Sequence, residues 1–357
     1  MNNQELLSQF DSWFGPDGPV AITAIDPLEP VLGPDGVVFP PTFAPPQKSN
    51  EGPYYVIDDV GGSKVALLDS VGSQANRLEP LFKQEPYSAL VPKGTVRIGN
   101  RVVDVLDAGH RAADAVVRFS TQREAFSCAF RSLAETGNAV PLAKLSPTSL
   151  LFGVWDSRGT RGTQVKLPRL LGATIRAHDV QPLTRAAQFF SVFEKEDVED
   201  LGENQDLLSK QGLLDAPAGR TLGGVLVKGG IRREAVFNLV ALRALAGSDA
   251  AETLALRRYV LGLGLVAFTA PLELFLREGC LLVPSREEPA SRKIVSRQGE
   301  RTDFQLSTGE ALQYAQAAAA AFGVGSAWEA SFDKDAVAAV AGTSKKSNEG
   351  KSKRAKT

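Results

Sequence analysis

The first candidate for chemistry is a basic, glycine-rich segment that spans residues 151–180. From Ser157 to His178 it contains five basic residues and no acidic residue. Its glycines permit close backbone approach, and its hydroxyls and backbone N–H groups can donate to phosphate oxygens. The segment is therefore predicted to bind a polyanion backbone; a solvated loop beside a basic helix face is the alternative. The residues concerned are Arg158, Arg161, Lys166, Arg169 and Arg176, with Gly153, Gly159 and Gly162, and with Ser157, Thr160 and Thr163.

A second candidate lies between Asp107 and Ser120, where His110, Arg111 and Asp114 stand among small apolar residues. On a helix, His110 and Asp114 would be neighbours four residues apart. An imidazole held by a carboxylate can act as a general base. The sequence offers no companion nucleophile, so a purely structural pair is the favoured interpretation.

Two further polar groups resemble nucleic-acid contacts. The helix predicted around residues 69–80 has a polar middle, and amides beside an arginine can contact RNA sugar, phosphate or base edges. A basic patch surrounds the glycine pairs of TLGGVLVKGGIRRE. A polar helix face and simple β-bulges are the alternatives. The residues are Ser73, Gln74, Asn76 and Arg77 in the first group, and Arg220, Lys228, Arg232 and Arg233 in the second.

The motifs of several enzyme classes are missing. The sequence contains no GxxxxGK[ST] loop, no HExxH pair, no CxxC and no GxSxG. His178 and Asp179 have no further ligands nearby to complete a metal site. Cys128 and Cys280 are far apart in apolar surroundings and are predicted to be buried free thiols. The sequence therefore predicts a protein without catalytic activity, cofactor or metal.

The net charge of −1 conceals an uneven distribution. The tail from Lys345 to Thr357 holds six basic residues and one acid, which leaves 34 basic and 40 acidic residues in the body. Nucleic acid would therefore have to bind in a local groove. The acidic run at residues 194–206 would repel it. The tail is predicted to be disordered because it cannot bury apolar surface.

Periodicity predicts an α+β fold built on a ferredoxin-like sheet with large insertions. We expect one domain over residues 1–342, with inserted hairpins and helical elaborations, and a disordered lysine-rich tail at 343–357. Strands and turns are predicted for 20–57 (with a hairpin in LEPVLGPDGVVFPPTF), a hairpin for 94–106, and strands for 150–155, ATIRAHDV, TLGGVLVKGG and 280–297. Helices are predicted for 64–84, 109–118, 122–136, 166–172, 235–246, 250–268 and 308–322.

The N-terminal residues lack a basic region followed by an apolar one, and no apolar run reaches the ~18 residues of a membrane span. A cytoplasmic protein without membrane contact is expected.

The motifs DSVGSQANRLEP, GHRAADAVVR and, above all, SLLFGVWDSRGTRGTQVKLPRLLGATI resemble the RAMP-superfamily backbone subunits of type I-G (formerly I-U) CRISPR Cascade surveillance complexes, the Cas-seven family. PLEPVLGPDGVVFPPTF resembles that family's N-terminal region, and the resemblance extends over roughly residues 20–320. It implies a right-hand-shaped protein with an RRM-like palm and a thumb. Residues 26–57 and 87–106 are the candidates for that thumb.

The resemblance also implies partners and contacts. Several copies would coat the guide RNA in a helical filament, with target DNA paired to the guide and with a large subunit and a smaller RAMP subunit attached. Cleavage would belong to a separate helicase-nuclease, and Asp156 would structure its loop rather than cut RNA. The implied guide-RNA contacts are Ser157, Arg158, Arg161, Lys166 and Arg169, then Gln74, Asn76, Arg77, His110 and Arg111, with Lys228.

Two alternatives stay open. The first is a RAMP endoribonuclease that processes guide RNA with His110 as general base, which predicts metal-free cleavage of repeat RNA. The second is an α+β protein that binds no nucleic acid, in which loss of Arg158 and Arg161 would change nothing but local solubility.

Overall fold

The computed structural model of the chain describes residues 3–45, 52–157, 164–194, 197–198, 204–340 and 342. Helices and strands alternate irregularly over these ranges. The strands are β1 (Ala21–Pro30), β2 (Val37–Val38), β3 (Thr42–Phe43), β4 (Tyr54–Tyr55), β5 (Ile57–Val60), β6 (Ser63–Asp69), β7 (Gly94–Ile98), β8 (Arg101–Asp104), β9 (Val154–Asp156), β10 (Val165–Leu167), β11 (Leu171–Ala177), β12 (Val180–Phe189), β13 (Ala216–Val227), β14 (Ile231–Asn238), β15 (Phe275–Arg277), β16 (Cys280–Pro284), β17 (Ser291–Val295), β18 (Arg301–Asp303) and β19 (Trp328–Ser331).

The helices begin and end at residues suited to those positions. Asp249 and Ser307 cap the two long C-terminal helices, and Ser307 forms a reciprocal capping box with Glu310. Gly137 ends another helix with a φ of 74°. The helices are α1 (Asn3–Ser8), α2 (Val71–Leu78), α3 (Ala115–Arg118), α4 (Arg123–Thr136), α5 (Val140–Leu145), α6 (Pro147–Phe152), α7 (Gln205–Lys210), α8 (Leu239–Arg243), α9 (Ala250–Thr269) and α10 (Thr308–Phe322), with 3-10 turns that include Glu79–Lys83 and Arg111–Ala113.

Four antiparallel strands form the centre of the main sheet. β1 lies between β14 and β17, and β14 also pairs with β11. In chain order, the first of these strands therefore lies between the third and the fourth, and the second flanks the third. Helices connect the first strand to the second and the third to the fourth. This is the split β-α-β arrangement of a ferredoxin-like fold, which confirms the predicted α+β class.

Additional strands extend this sheet and surround it. β6 and β5 continue it beyond β11, and β16, which also pairs with β15, lies beside the last three residues of β1. β12 and β13 form a long ribbon, with β2 paired to the base of β13. Among the described residues, three smaller units also lie outside the main sheet: β19–β7–β8, the hairpin β9–β10 and the pair β3–β4.

One face of the sheet is buried under helix α9, and α10 packs against α9. Residues alternate between buried and exposed along β14, as expected for a strand with one covered face. A Cβ atom at Gly264 would lie 2.1 Å from the Phe237 ring, and one at Gly262 would lie 2.8 Å from the Cα of Ala315. These two glycines therefore let α9 pack directly against the sheet and against α10.

Several local predictions are wrong, because tertiary pairing outweighed helical periodicity. The helix predicted for 64–84 is strand β6, followed by α2 and a 3-10 turn. The helix predicted for 166–172 is divided between β10 and β11, and much of the one predicted for 235–246 belongs to β14 and α8. The strand predicted for 150–155 begins as helix α6. The predicted helix at 109–118 is two short turns.

Other predictions are confirmed or corrected individually. The hairpin at Gly99-Asn100 is present as β7–β8, with a φ of 59° at Gly99. The helices predicted for 122–136, 250–268 and 308–322 are present as α4, α9 and α10. The early hairpin is wrong, because β2 pairs with β13 instead of β1. Cys280 is buried as predicted, whereas Cys128 is exposed on the outer side of α4. The predicted disordered tail, 343–357, lies outside the described residues.

Candidate nucleic-acid interface

Helix α2 begins where its backbone is accessible to a ligand. The Ser70 side chain caps the helix and accepts a hydrogen bond from the backbone N–H of Ser73 at 3.3 Å. Gly72 lies in the first turn, where a Cβ atom would be 3.9 Å from the guanidinium of Arg169. N–H groups of a first helical turn have no partners within the helix, and the helix dipole is positive at this end. The start of α2 therefore suits an anion.

Arg169 crosses the space between α2 and Gly153. The backbone φ of Gly153 is 79°, and a Cβ atom there would lie 2.9 Å from the Cγ of Arg169. Glycine at this position thus leaves room for the arginine. Arg169 is exposed, and no carboxylate of the described residues lies within ion-pair distance of it. It is therefore available to a phosphate beside the start of α2.

Arg111 supports this surface from below. It is 4% exposed and has a left-handed backbone φ of 52°. Its guanidinium lies 2.7 Å from the Glu79 carboxylate and donates to the side-chain oxygen of Asn76 at 3.3 Å and to the Gly153 carbonyl at 3.4 Å. The exposed Asn76 amide and the Gly153 backbone are thereby held in place next to Arg169.

Burial has the largest effect on the pKa values of the Glu79–Arg111 pair. It raises the pKa of Glu79 from its ordinary value of 4.5 to about 7, although the Arg111 charge opposes the shift. Burial also lowers the pKa of Arg111, and the nearby positive charge of Arg169 lowers it further. Two cations that are close enough to lower the pKa of one of them favour an anion nearby.

Gln74 and Arg77 anchor α2 to the sheet. Gln74 is buried, donates to Asp69 at 2.6 Å and accepts from Arg233 at 3.0 Å. Arg233 is 2% exposed and continues the network to Asp26 at 2.7 Å. The Arg77 guanidinium is 3.1 Å from Asp69 and donates to two backbone carbonyls of β15. Both side chains are engaged within the protein, so their described geometry fits a supporting role.

The hairpin β9–β10 carries Lys166 on its outer face. Lys166 is exposed and lies opposite Trp155 in the strand register, with its Nζ 5.5 Å from the centre of the indole ring. The helix predicted for 166–172 would have placed Lys166 and Arg169 on one turn, but Lys166 lies on β10 and Arg169 follows that strand. Ser157 is half-buried at the end of β9. Arg158 and Arg161 lie outside the described residues.

His110 is exposed next to Arg111. The Asp114 carboxylate does not hold its imidazole: it accepts hydrogen bonds from the backbone N–H groups of His110, at 3.2 Å, and of Val116, at 3.0 Å. Asp114 thereby caps the short helix α3. The described contacts therefore give no support to an aspartate-held general base at His110.

Lys228 lies far from Arg169. It occupies the turn before β14, at the end of the sheet where β11 finishes, whereas Arg169 precedes the start of β11. The seven residues of β11 separate the two ends by about 20 Å. Lys228 lines a cleft of about 370 Å³ with Arg232, Glu29 and Glu287. The acidic side chains of this cleft make it a poorer phosphate site.

Sequence reasoning missed the supporting residues Glu79 and Asp69, and it placed Arg233 in a basic patch although Arg233 is buried and holds Gln74. The only signal for Glu79 was a charged residue between Leu78 and Pro80, inside a run with apolar spacing. Asp69 had a similar signal at the end of VALLD. The partners in this network lie far apart in sequence, because 207 residues separate Arg233 from Asp26 and 159 separate it from Gln74, so only the fold identifies them.

The ribbon β12–β13 extends from the main sheet. Its strands pair from Val180 opposite Val227 to Phe189 opposite Ala216, with β2 beside the base only. Ten residues of β12 span about 30 Å. The connecting segment beyond it exposes Phe190 and Val192.

Comparison with known families divides the chain into two parts. Residues 22–182, which include α2, the hairpin β9–β10 and Arg169, match the family described as CRISPR-associated protein GSU0053. This match supports a CRISPR-associated protein. Its expected role is in defence. Residues 185–349 match the nitroreductase family. No curated protein matches the sequence.

The second match is to a family of enzymes, so the absence of catalytic activity stays a prediction. Reduction of a nitro group needs an electron donor such as a flavin. The described residues do not fit a flavin between α9, α10 and the sheet, because Gly262 and Gly264 already bring these elements into direct contact. In addition, β14 of the matched segment lies between β1 and β11 of the other segment. The described strands of the two matched segments therefore share the main sheet.

No helix among the described residues has the length and apolar character needed to cross a membrane. They also contain no cluster of three or more His, Cys, Asp or Glu side chains suited to a metal ion.

Proposed function

We propose that this chain is a non-catalytic backbone subunit of a type I-G CRISPR Cascade complex, and that it binds guide RNA through phosphates and sugars. The observation that carries the proposal is the position of Arg169. It is exposed without a described carboxylate partner, and it lies between the first turn of α2 and Gly153, with Asn76 and Arg111 alongside. Lys166 extends this positive surface, although the body of the chain is acidic.

The geometry suits binding that does not depend on sequence. Guides differ in every base, so only phosphates and sugars are constant contacts. Backbone N–H groups, an amide and arginines provide such contacts without reading a base edge. If each subunit neutralises about 4 phosphates, the log–log dependence of affinity on salt has a slope of about −3 on single-stranded RNA.

The partners in this proposal are guide RNA, target DNA paired to it, other copies of the chain in a helical filament, a large subunit and a smaller RAMP subunit. The β12–β13 ribbon is a better candidate for the thumb than the sequence-based choices. Among the described residues of 26–57, β2 pairs with the base of that ribbon and β3 pairs with β4, whereas residues 87–106 include the short hairpin β7–β8. A head-to-tail interface is open, so RNA length would limit assembly.

Two carboxylates considered for catalysis have structural positions. Asp156 is 7% exposed and lies on the inward face of β9. Asp114 is occupied by backbone N–H groups. This geometry favours binding without cleavage.

The test is to express the chain together with a CRISPR array, purify it and sequence the RNA that accompanies it. We expect guide-length RNA in ribonucleoprotein particles and loss of that RNA in the double variant Lys166→Ala/Arg169→Ala. The double variant Arg158→Ala/Arg161→Ala should behave similarly. The matched control Lys64→Ala/Arg101→Ala removes two exposed cations from β6 and β8 and should retain the RNA. Protein that carries no RNA, and binds none when guide RNA is added, would contradict the proposal.

A further inference from the structure

The three tryptophans have different environments. Trp328 is 8% exposed, stacks edge-on against Phe126 and donates from Nε1 to the Leu145 carbonyl at 3.2 Å. Trp13 packs against Phe10 with ring centres 4.5 Å apart. Trp155, in contrast, is 59% exposed. A large aromatic side chain left in solvent forgoes the stabilisation that burial would give it. Its exposure therefore requires a separate explanation.

The hairpin β9–β10 determines this exposure. Val154 and Asp156 point inward with Val165, whereas Trp155 and Lys166 lie opposite each other on the outward face. The indole is thus held on a short, paired strand. Its ring has a cation at 5.5 Å from its centre.

The hairpin also continues the surface around Arg169. Trp155 is two residues from Gly153, which corresponds to about 7 Å along a strand. Gly153 is in contact with Arg169 and with Arg111. Trp155 is therefore next in the chain to the groups expected to contact phosphates.

We propose that Trp155 stacks on one unpaired base of the bound RNA, while Lys166 contacts the phosphate beside that base. The inference rests on the proposed RNA-binding function and adds a base-stacking position to it. Stacking tolerates any base because every base has a π-face, so it is compatible with guides of any sequence. Positive charge in this segment favours a nucleic acid over an apolar protein surface: between residues 157 and 178 there are five basic residues and no acid.

Tryptophan fluorescence and an abasic probe separate stacking from phosphate binding. The full chain is titrated with single-stranded oligo(A) and with an abasic RNA backbone of the same length. Oligo(A) should quench tryptophan emission, and the quenching should be lost in Trp155→Phe because Trp13 and Trp328 pack within the protein. Trp155→Ala should bind oligo(A) about 5- to 100-fold more weakly, should bind the abasic backbone as the unaltered protein does, and should be partly rescued by Trp155→Phe. The control Tyr54→Ala removes another exposed aromatic ring from β4 and should bind both probes normally.

The possible failures are distinguishable. If Trp155→Ala weakens both probes equally or neither, and emission is not quenched, the stacking proposal is wrong while phosphate binding stands. If the unaltered protein binds neither probe, both proposals are wrong. If Trp155→Ala abolishes self-association of RNA-free protein in size-exclusion chromatography and leaves RNA binding intact, the indole docks on a second copy instead.

Discussion

Replacement of Glu79 by glutamine should change how the stability of the protein depends on pH. Glu79 is 2% exposed and lies 2.7 Å from the Arg111 guanidinium. Burial nevertheless outweighs that charge and raises the pKa of the Glu79 carboxyl from 4.5 to about 7. Between these two pKa values the folded protein therefore retains a proton on the Glu79 carboxyl that the unfolded chain releases.

The sign and size of the effect follow from proton linkage. Between about pH 4.5 and pH 7 the unfolded chain binds fewer protons at this position than the folded one, so the free energy of unfolding falls as pH rises. A difference of roughly 2.5 pKa units corresponds to about 3 kcal/mol, most of which is lost between about pH 5 and pH 8. Glu79→Gln has no titrating group at this position. Its stability relative to the unaltered protein should therefore improve by about 2 to 3 kcal/mol over that interval.

The assay is equilibrium urea unfolding of both proteins at several pH values. Glu124→Gln is the control, since that carboxylate is 69% exposed on α4, and its stability should run parallel to that of the unaltered protein. If the free energy of unfolding of Glu79→Gln also changes with pH as that of the unaltered protein does, Arg111 keeps Glu79 ionised and the argument from burial is refuted. If the variant loses stability as pH rises, the ion pair stabilises the folded protein more than burial opposes it.

Three other variants or probes test the packing. Gly94→Ala should cost about 1 to 3 kcal/mol and lower the melting temperature, because the new Cβ atom would lie 2.4 Å from the Trp328 ring; an unchanged melting temperature would refute this contact. Arg233→Met should destabilise by about 3 kcal/mol in urea unfolding, since it leaves a partly buried carboxylate without its closest partner; a neutral result would mean that the network is dispensable. A thiol reagent should label Cys128 in the folded protein and Cys280 only after unfolding, because burial raises the pKa of Cys280 to about 11; labelling of both at the same rate would contradict the packing around β16.

Functional residues were predicted from sequence where local pattern was sufficient. The basic segment was recognised from its composition alone, and Lys166 and Arg169 are exposed as a phosphate contact requires. Gln74 and Arg111 were predicted from the same kind of polar pattern, yet they are buried. Polarity at a helical position does not reveal whether a distant arginine or carboxylate will accept the side chain inside the protein.

The sequence by itself determined the α+β class, the long helices α9 and α10 and the hairpin at Gly99, because these depend on local spacing, caps and turn chemistry. Tertiary structure alone decided that residues 64–69 and 235–238 are strands, since sheet partners supply the hydrogen bonds that a helix would have supplied locally. It also decided that Arg169 meets the start of α2, which lies almost a hundred residues earlier in the chain. Contacts of that separation depend on the strand order of the main sheet, and no local pattern encodes that order.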